Sequence, residues 1–292
     1  MTSWRAWVLA ARPPTLLAAV SPVLAGAGLA VDDGAFRWDA FVVTLVTAVL
    51  LNVGVNFAND ASDAARGADT PDRLGPPRAV ATGLIDPRAM WRGVAVVFGL
   101  AIAGGAYLAW IAGPWIVVIG VASILAALGY TGGPVPYGYR GLGEAFVFVF
   151  FGVVATVGSR FVHDGSAPLD AWLASVPIGF LVTAILVANN VRDLDTDRRA
   201  GKRTLAVLLG RRRTEIVYAV LVLGAFAVLA LFAGVGWMPR GTLLGLVALP
   251  LAIGPVRTVT TDTTGPALVG ALVGNARAHA VLGALVGLGA AL

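Results

Sequence analysis

Apolar runs of about 20 residues, separated by short charged segments, restrict what this chain of 292 residues can fold into. A helix of about 20 residues crosses the roughly 30 Å of hydrocarbon in a bilayer. Because lipid offers no hydrogen bonds, a spanning segment must satisfy its own backbone, as a helix does. Charged residues make up only 13% of the chain, about half their share in soluble domains. The sequence therefore predicts an all-α, polytopic membrane bundle.

We predict nine transmembrane helices in a single domain that covers residues 1–292. The nine apolar runs are 14–31, 40–58, 93–112, 114–129, 143–161, 171–191, 215–234, 241–257 and 267–291.

The orientation of the bundle follows from its basic residues, because Lys and Arg accumulate on the cytoplasmic side of a membrane. With the N-terminus in the cytoplasm, Arg37, Arg160 and Arg240 fall outside, and Arg277 lies within the last run. The other 17 of the 21 basic residues then lie in internal segments. We therefore expect a multi-pass protein of the cell membrane with a cytoplasmic N-terminus.

The net charge of +5 is explained by the same asymmetry, so it gives no reason to expect a nucleic-acid partner. Basic segments at the membrane surface favour contact with membrane lipid, including anionic headgroups. The chain has no cysteine, which excludes disulfides and thiolate metal sites.

Two internal segments differ from the others in length and charge, and we interpret them as cap loops over about 59–92 and 192–214. They lie four runs apart, as expected if the bundle consists of two related halves. Within them, the short windows 60–72 and 193–197 hold seven of the 16 acidic residues. These residues are Asp60, Asp63, Asp69, Asp72, Asp193, Asp195 and Asp197.

Helical spacing arranges part of this acid in two polar stripes, because residues three or four apart share a helix face. The first stripe is Asn52, Asn56, Asp60 and Asp63, and the second is Asn189, Asp193 and Asp197. Both stripes begin inside apolar runs, where polar side chains are costly and usually face the bundle interior. Each stripe therefore predicts a cluster of amide and carboxylate oxygens at the cytoplasmic end of a helix.

Carboxylates that repel one another need a cation, and Mg²⁺ suits oxygen ligands shared with a substrate phosphate. Basic residues are interleaved with the acids, as a multiply charged phosphate would require. These residues are Arg66, Arg73, Arg78, Lys202 and Arg203. The pattern predicts a metal and diphosphate site, with solvated loop charges as the alternative. Asp69, Asp72 and Asp195 fit either a second ligand set or loop salt bridges.

Other polar and aromatic residues leave two interpretations open. Tyr130, Tyr137 and Tyr139 lie between the fourth and fifth runs, where a site contact and an interfacial aromatic belt are both expected. Asn275 and His279 lie within the last run. A polar packing contact and a substrate contact are both consistent with their position.

Three motifs together resemble those of the UbiA-type intramembrane prenyltransferases, and within them the 1,4-dihydroxy-2-naphthoate prenyltransferases of menaquinone synthesis. They are NDASDAARGADTPDRLGPPRAVATGLI (59–85), YTGGPVPYGYRGLGE (130–144) and NNVRDLDTDRRAGKRTLAVLLGR (189–211). The resemblance extends over essentially the whole chain. It implies a nine-helix bundle with two Asp-rich motifs around a central cavity that is open to lipid.

The resemblance also implies roles for individual residues. Asp60, Asp63, Asp193 and Asp197 would bind two Mg²⁺ ions and the diphosphate, with Asn56 and Asn189 as supporting ligands. Arg73, Arg78, Lys202 and Arg203 would hold the diphosphate, and Asp60, Asp63, Asp193, Asp197 and Lys202 would form the catalytic group. Tyr130, Tyr137 and Tyr139 would contact substrate, and Arg140 would bind the acceptor carboxylate unless it serves only the topology.

The reaction that the resemblance implies is the transfer of a polyprenyl group from polyprenyl diphosphate to 1,4-dihydroxy-2-naphthoate. Carbon dioxide is lost, and the product is a demethylmenaquinone. One alternative is a UbiA-type enzyme that acts on 4-hydroxybenzoate or homogentisate. A second is a cation-coupled transporter, although its acids should lie near the bilayer midplane. A phosphatidyltransferase is disfavoured because the chain lacks a compact DGxxAR block.

Overall fold

The computed structural model describes residues 3–68, 75–262 and 265–292. These residues form helices and connecting turns, and no β-strand occurs among them. In chain order the helices are α1 (Trp4–Ala11), α2 (Pro13–Asp32), α3 (Trp38–Ala65), α4 (Pro87–Ala112), α5 (Trp115–Thr131), α6 (Gly143–Phe161), α7 (Leu169–Arg192), α8 (Leu194–Arg199), α9 (Leu205–Leu209), α10 (Arg211–Gly234), α11 (Arg240–Thr261) and α12 (Gly265–Ala290).

Within the described ranges, eight helices are long and apolar enough to cross a membrane, and α5 is a further apolar helix of 17 residues. Each of the nine predicted runs falls on one of these helices, so the predicted all-α membrane bundle is confirmed. Two spans are irregular: α6 contains a π-helical segment at Phe148–Val154, and α11 begins as a 3₁₀ helix over Arg240–Ala248.

The two polar segments are more ordered than the predicted cap loops. Helix α3 continues through Ala65, and α4 begins at Pro87, so the described part of the first cap loop is 66–68 and 75–86, within the predicted 59–92. Gly67 ends α3 with a φ of 64°, a conformation that costs glycine little. The second segment contains α8 and α9 instead of an open loop. The first acidic stripe therefore lies on α3, as its helical spacing predicts.

Helices α2, α7 and α12 pack together at the centre of the bundle. Gly28 of α2 lies directly against the backbone of Gly287 in α12. The Ser21 hydroxyl donates to the backbone oxygen of His279 over 2.8 Å, and the Asn275 amide donates to the backbone oxygen of Leu181 over 3.1 Å. Asn275 and His279 are both fully buried, and the Asn275 amide makes a packing contact with α7.

The C-terminal end of α2, remote from the acidic stripes, is joined to α6 by ion pairs. Arg160 donates to Asp33 over 2.6 Å and to Asp164 over 2.8 Å, which connects the ends of α2 and α6. The Arg160 guanidinium holds the pKa of Asp164 well below its usual range. This end of the bundle is thereby fixed, and the acidic stripes lie at the other end.

A Gly28→Val substitution tests the close packing of α2 on α12. A Cβ atom at Gly28 would lie 2.0 Å from the Gly287 carbonyl oxygen, which is backbone and has no room to rotate away. Overpacking of this kind costs about 1–3 kcal/mol, so we expect a melting temperature in detergent lower by roughly 5 °C. Gly99→Val is the matched control, because no atom lies within 4 Å of a Cβ there. Equal melting temperatures for the two variants would contradict the packing.

Candidate active site

A cavity of about 300 Å³ opens among α2, α3, α5, α6 and α7 at the end that carries the acidic stripes. Its polar end is formed by Asp63, Arg78, Asp193, Asp197 and Lys202. Apolar side chains continue the wall into the bundle, and they include Leu51, Val55, Phe146, Phe150, Phe151, Val182, Ile185 and Leu186. The cavity thus combines a charged mouth with an apolar interior.

Asp63, at the end of α3, is a buried carboxylate surrounded by donors. Arg78 Nη2 lies 3.1 Å from Asp63 Oδ2, and the Tyr139 hydroxyl donates to Oδ1 over 2.5 Å. Lys202 Nζ lies 3.6 Å from the same Oδ1. A buried charge needs this number of partners to offset its loss of hydration. Asp63 is therefore held by groups from three separate segments.

Asp193 follows directly after α7 and is paired with its neighbour Arg192. Arg192 donates from Nε to Oδ1 over 2.8 Å and from Nη2 to Oδ2 over 2.5 Å. The same Nη2 donates to Asn189 Oδ1 over 2.6 Å. This two-pronged contact is the strongest arrangement of a guanidinium and a carboxylate. It fixes Asp193 at the mouth of the cavity.

Lys202 connects the two acidic helix ends. Its Nζ atom lies 3.6 Å from Asp63 Oδ1 and 3.8 Å from Asp197 Oδ1. The ammonium group also lies 4.7 Å from the centre of the Tyr139 ring, in position for a cation–π contact. The turn after α8 positions Lys202, because its N–H donates to the Asp197 carbonyl oxygen over 2.9 Å. Residues far apart in sequence therefore meet at a single cation.

Asp60 does not lie on the cavity wall formed by the described residues, contrary to the predicted metal contact. Its Oδ1 accepts from the backbone N–H of Val80 over 2.9 Å, and its Oδ2 accepts from that of Ala79 over 3.0 Å. The side chain is only 1% exposed. Both carboxylate oxygens face the loop backbone, so Asp60 fastens Ala79 and Val80 to α3.

Arg140 and Arg203 also lie off this wall. Both residues are exposed, and the backbone N–H of Arg203 donates to the Tyr139 carbonyl oxygen over 3.0 Å. The structure therefore does not support the predicted contacts of Arg140 with an acceptor and of Arg203 with a diphosphate. Asp69, Asp72 and Arg73 lie outside the described residues, so their roles stay predictions.

Asn52 and Asn56 lie on the wall, but their amide groups bind a helix junction. The Asn56 Nδ2 atom donates to the Ala11 carbonyl oxygen over 3.0 Å and to Thr15 Oγ1 over 3.1 Å. The Asn52 Nδ2 atom donates to the Thr15 carbonyl oxygen over 3.0 Å. These contacts join α3 to the break between α1 and α2 through the amide nitrogens, and the role of the Asn56 oxygen as a metal ligand stays a prediction.

Aromatic rings form a continuous path from the mouth into the cavity. The Tyr137 ring stacks on Phe146 with centroids 3.9 Å apart, and Phe146 stacks on Phe150 at 6.0 Å. Tyr130 meets Tyr137 edge to face at 5.4 Å. Burial raises the pKa of the Tyr137 phenol above its usual range, so its proton is retained and donated to the Ala126 carbonyl oxygen over 2.8 Å. All three predicted tyrosines line the cavity.

Sequence reasoning missed four residues of this region that carry an amide or a guanidinium group. Asn59 and Asn190 lie on the wall beside predicted residues, and Arg192 directly precedes Asp193. Asn59 Oδ1 accepts from the Thr131 hydroxyl over 2.9 Å, and the Asn190 amide donates to Glu144 over 2.8 Å. Asn59, Asn190 and Arg192 adjoin the acidic motifs in sequence, and this adjacency could have identified them. Arg12, the fourth, also lines the cavity, and its position in sequence gave no such signal.

This geometry agrees with the comparisons to known proteins. Residues 19–288 match the UbiA prenyltransferase family. The chain belongs to this family. Its UbiA-type relatives include the 1,4-dihydroxy-2-naphthoate octaprenyltransferase of Mycobacterium tuberculosis, which is 42% identical over 88% of each chain. The enzyme of the same name from Escherichia coli is 36% identical, and the match covers 87% of this chain and 85% of that one.

Solved UbiA structures share the fold at much lower sequence identity. A UbiA homologue from Aeropyrum pernix has a TM-score of 0.68 at 17% identity, and the match covers 93% of this chain and 96% of that one. A UbiA homologue from Archaeoglobus fulgidus, bound to GPP and Mg²⁺, has a TM-score of 0.67 at 16% identity, with 96% and 99% covered. At this identity the likeness shows the fold.

The donor atoms at the polar mouth suit Mg²⁺. Asp63, Asp193 and Asp197 supply carboxylate oxygens to one cavity, and Asn59 and Asn189 lie beside them. The cations Arg78, Arg192 and Lys202 balance these carboxylates in the structure. Another acidic group, Asp32, Asp33 and Asp170, has its oxygens within 4.8 Å of one another, but it lies at the opposite end of α2.

Replacing Asp60 tests its function as a loop anchor. Asp60→Ala removes the acceptors of two backbone N–H groups, and each hydrogen bond to a charged group contributes about 1.5–3 kcal/mol. We expect amide hydrogen exchange at Ala79 and Val80 to rise by at least about tenfold. Asp60→Asn should give an intermediate result, because its amide keeps one acceptor oxygen. Unchanged exchange in Asp60→Ala would show that the loop does not depend on this carboxylate.

Proposed function

We propose that this protein transfers a polyprenyl group from a polyprenyl diphosphate to 1,4-dihydroxy-2-naphthoate, with loss of CO₂, to form the hydroquinone of a demethylmenaquinone. The observation that carries the proposal is the meeting of two acidic helix ends at the mouth of an apolar, aromatic cavity. Identities of 32–42% with five 1,4-dihydroxy-2-naphthoate octaprenyltransferases support this acceptor.

We further propose that Asp63, Asp193 and Asp197 hold Mg²⁺, with Asn59 and Asn189 as neighbouring oxygen ligands. The three carboxylates would supply enough oxygen ligands to hold two ions. When bound, Mg²⁺ would neutralise the charge that develops on the departing diphosphate. Asp60, a predicted ligand, is assigned instead to the loop, because its oxygens accept from Ala79 and Val80.

The chain's own cations act on the same leaving group. Arg78 and Lys202 contact Asp63 in the structure, so a diphosphate bound at this carboxylate would lie within their reach. Fixed cations in a site with little water stabilise developing negative charge without having to reorient. Breakage of the allylic C–O bond leaves both bonding electrons on the diphosphate oxygen. Lys202 and Arg78 therefore favour departure of the diphosphate.

The allylic cation that remains needs protection from water, which would capture it. Tyr130, Tyr137, Phe146 and Phe150 surround the cavity just inside the mouth with aromatic rings. Their ring faces attract positive charge, and their bulk excludes water. The apolar wall beyond them, from Phe151 to Val182 and Ile185, would accept the prenyl tail.

Ring chemistry completes the transfer without a strong base. The electron-rich hydroquinone ring attacks the cation through the carbon that bears the carboxylate, and a C–C bond forms. The bond from that carbon to the carboxylate then breaks, CO₂ leaves, and the bonding electron pair restores the aromatic ring. The chain has only to place the acceptor ring against the allylic carbon.

The proposal includes the orientation of the enzyme in the cell membrane. The acidic helix ends would face the cytoplasm, together with the N-terminus and most of the basic residues. The cavity would take its prenyl substrate from membrane lipid, through which a long polyprenyl chain partitions. Residues 1–292 act as one transmembrane domain in this scheme.

An acceptor comparison tests the proposed function. Purified protein in detergent would be given labelled polyprenyl diphosphate, Mg²⁺ and one of three acceptors: 1,4-dihydroxy-2-naphthoate, 4-hydroxybenzoate or homogentisate. We expect a prenylated product from the naphthoate, at a rate at least tenfold above the others, and loss of product when EDTA removes the metal. Asp63→Ala is the inactive control. Preferential product from 4-hydroxybenzoate or homogentisate would overturn the choice of acceptor.

A further inference from the structure

A groove runs along one face of α10, away from the active-site cavity. Its wall on α10 includes Arg212, Ile216, Ala219, Val220, Leu223 and Ala227. These positions follow one another at spacings of three and four, so they share a helix face. Thr260 and Thr261, from the end of α11, line the groove as well. Among the described residues, none lines both this groove and the active-site cavity.

The groove lies on the outer surface of the bundle. On the opposite face of α10, Tyr218 and Val222 are fully buried in the core that α10 shares with α7. On the groove face, Ile216, Val220 and Leu223 are 50%, 62% and 49% exposed. A contiguous apolar surface with this exposure marks a contact with membrane or with another protein. The groove is therefore open to the lipid around the bundle.

The apolar part of the groove matches the depth of one leaflet. Ile216 and Ala227 both line it, and they are separated by about 16 Å along the axis of α10. Half of the hydrocarbon core of a bilayer is about 15 Å deep. Arg212 lies one turn before Ile216, about 6 Å farther along the axis, at the level of the lipid headgroups. An acyl chain of one leaflet would thus lie along the groove with its headgroup at Arg212.

The polar end of the groove carries positive charge. Segments 210–216 and 257–262 meet there, because α10 begins and α11 ends at this side of the bundle. Their charged residues are Arg211, Arg212, Arg213, Glu215, Arg257 and Asp262, with a net charge of +2. In the proposed orientation this side is cytoplasmic. A basic pocket between transmembrane helices on that side suits the phosphate of an anionic lipid.

Arg212 is the charged donor on the groove wall. Its Nη1 atom lies 3.7 Å from Glu215 Oε2, which is too long for a hydrogen bond, and its side chain is 77% exposed. The hydroxyls of Thr260 and Thr261 donate to carbonyl oxygens of their own helix, so they do not supply the donors. The planar guanidinium fork of Arg212 suits a phosphate. Charge and position therefore favour an anionic occupant.

We propose that the groove binds one anionic phospholipid, with an acyl chain along 216–227 and the phosphate at Arg212. A second copy of this chain is disfavoured as the occupant. In a two-fold dimer within the membrane, the second copy would bring its own Arg212 to the same depth, where the like charges repel. The tail of the prenyl substrate is disfavoured because the groove and the active-site cavity have separate walls.

Two pairs of variants test the headgroup and the acyl chain separately. Arg212→Gln removes the charge on the groove wall, and Arg213→Gln removes the same charge from the next residue, which is exposed and does not line the groove. Ala219→Leu fills the apolar part of the groove. Ala103→Leu makes the same change at an exposed position of α4. All four side chains are at least partly exposed, so we expect melting temperatures without added lipid to match the wild type.

Native mass spectrometry of the protein in detergent would measure the Kd for dioleoylphosphatidylglycerol and for dioleoylphosphatidylcholine, which has the same acyl chains and no net charge. We expect one wild-type site that prefers phosphatidylglycerol by at least about tenfold. Arg212→Gln should weaken this binding about tenfold, the low end for a hydrogen bond to a charged group. Ala219→Leu should weaken it similarly, because the added side chain displaces the acyl chain. Both controls should stay within about twofold of the wild type.

Five outcomes would overturn the proposal. Equal affinity of the wild type for the two lipids would exclude recognition of the headgroup. Equal losses in Arg212→Gln and Arg213→Gln would show binding to the basic surface in general, and unchanged binding in Ala219→Leu would exclude the acyl chain from the groove. A wild-type dimer that Ala219→Leu converts to a monomer would assign the groove to a second copy. Displacement of phosphatidylglycerol by a polyprenyl diphosphate would assign it to the substrate.

Discussion

The contact of Lys202 with Asp63 and Asp197 is the interaction on which the rest of the site depends. It joins the end of α3 to the start of α8, and the two acids belong to different halves of the sequence. Buried carboxylates so close together would repel each other strongly without a cation between them. Lys202, Arg78 and Arg192 offset this repulsion, so the carboxylates of Asp63, Asp193 and Asp197 can line one cavity in an apolar bundle.

Neighbouring residues of α3 serve different purposes because the helix turns by about 100° per residue. Asn59 and Asp63 face the cavity, whereas Asp60 faces the loop and fastens Ala79 and Val80. Asn56 faces the cavity wall but uses its amide to hold the corner at Arg12. A single helix therefore positions the site, the loop beside it and the corner at Arg12.

Much of the fold could be predicted from the sequence, because lipid permits few alternatives to apolar helices. The nine runs and the end of the bundle that holds the site follow from apolar length and acidic spacing. The predicted helix bounds were less accurate: α3 continues through Ala65, and Gly67, with its positive φ, follows its end. Composition does not indicate at which residue a helix ends when its last turns are polar.

The contacts within the site were harder to predict than its location. Asn59 and Asp60 differ by a single helical step, so periodicity alone could not decide which of them faces the cavity. Arg140 was chosen as the basic residue of its segment, but the 3₁₀ turn at Tyr137–Arg140 leaves it exposed. The approach of Arg12 depends on tertiary hydrogen bonds from Asn52 and Asn56, which no local pattern records.

Binding of an unreactive donor tests most directly whether the two acidic helix ends form one site. Titration calorimetry would measure the Mg²⁺-dependent affinity for a prenyl thiolodiphosphate in wild type, Asp63→Ala, Asp193→Ala and the double variant. A single shared site predicts that either substitution removes nearly all of the Mg²⁺-dependent affinity, so that the second adds little. Two moderate losses that add in the double variant would show two independent sites and would contradict this account.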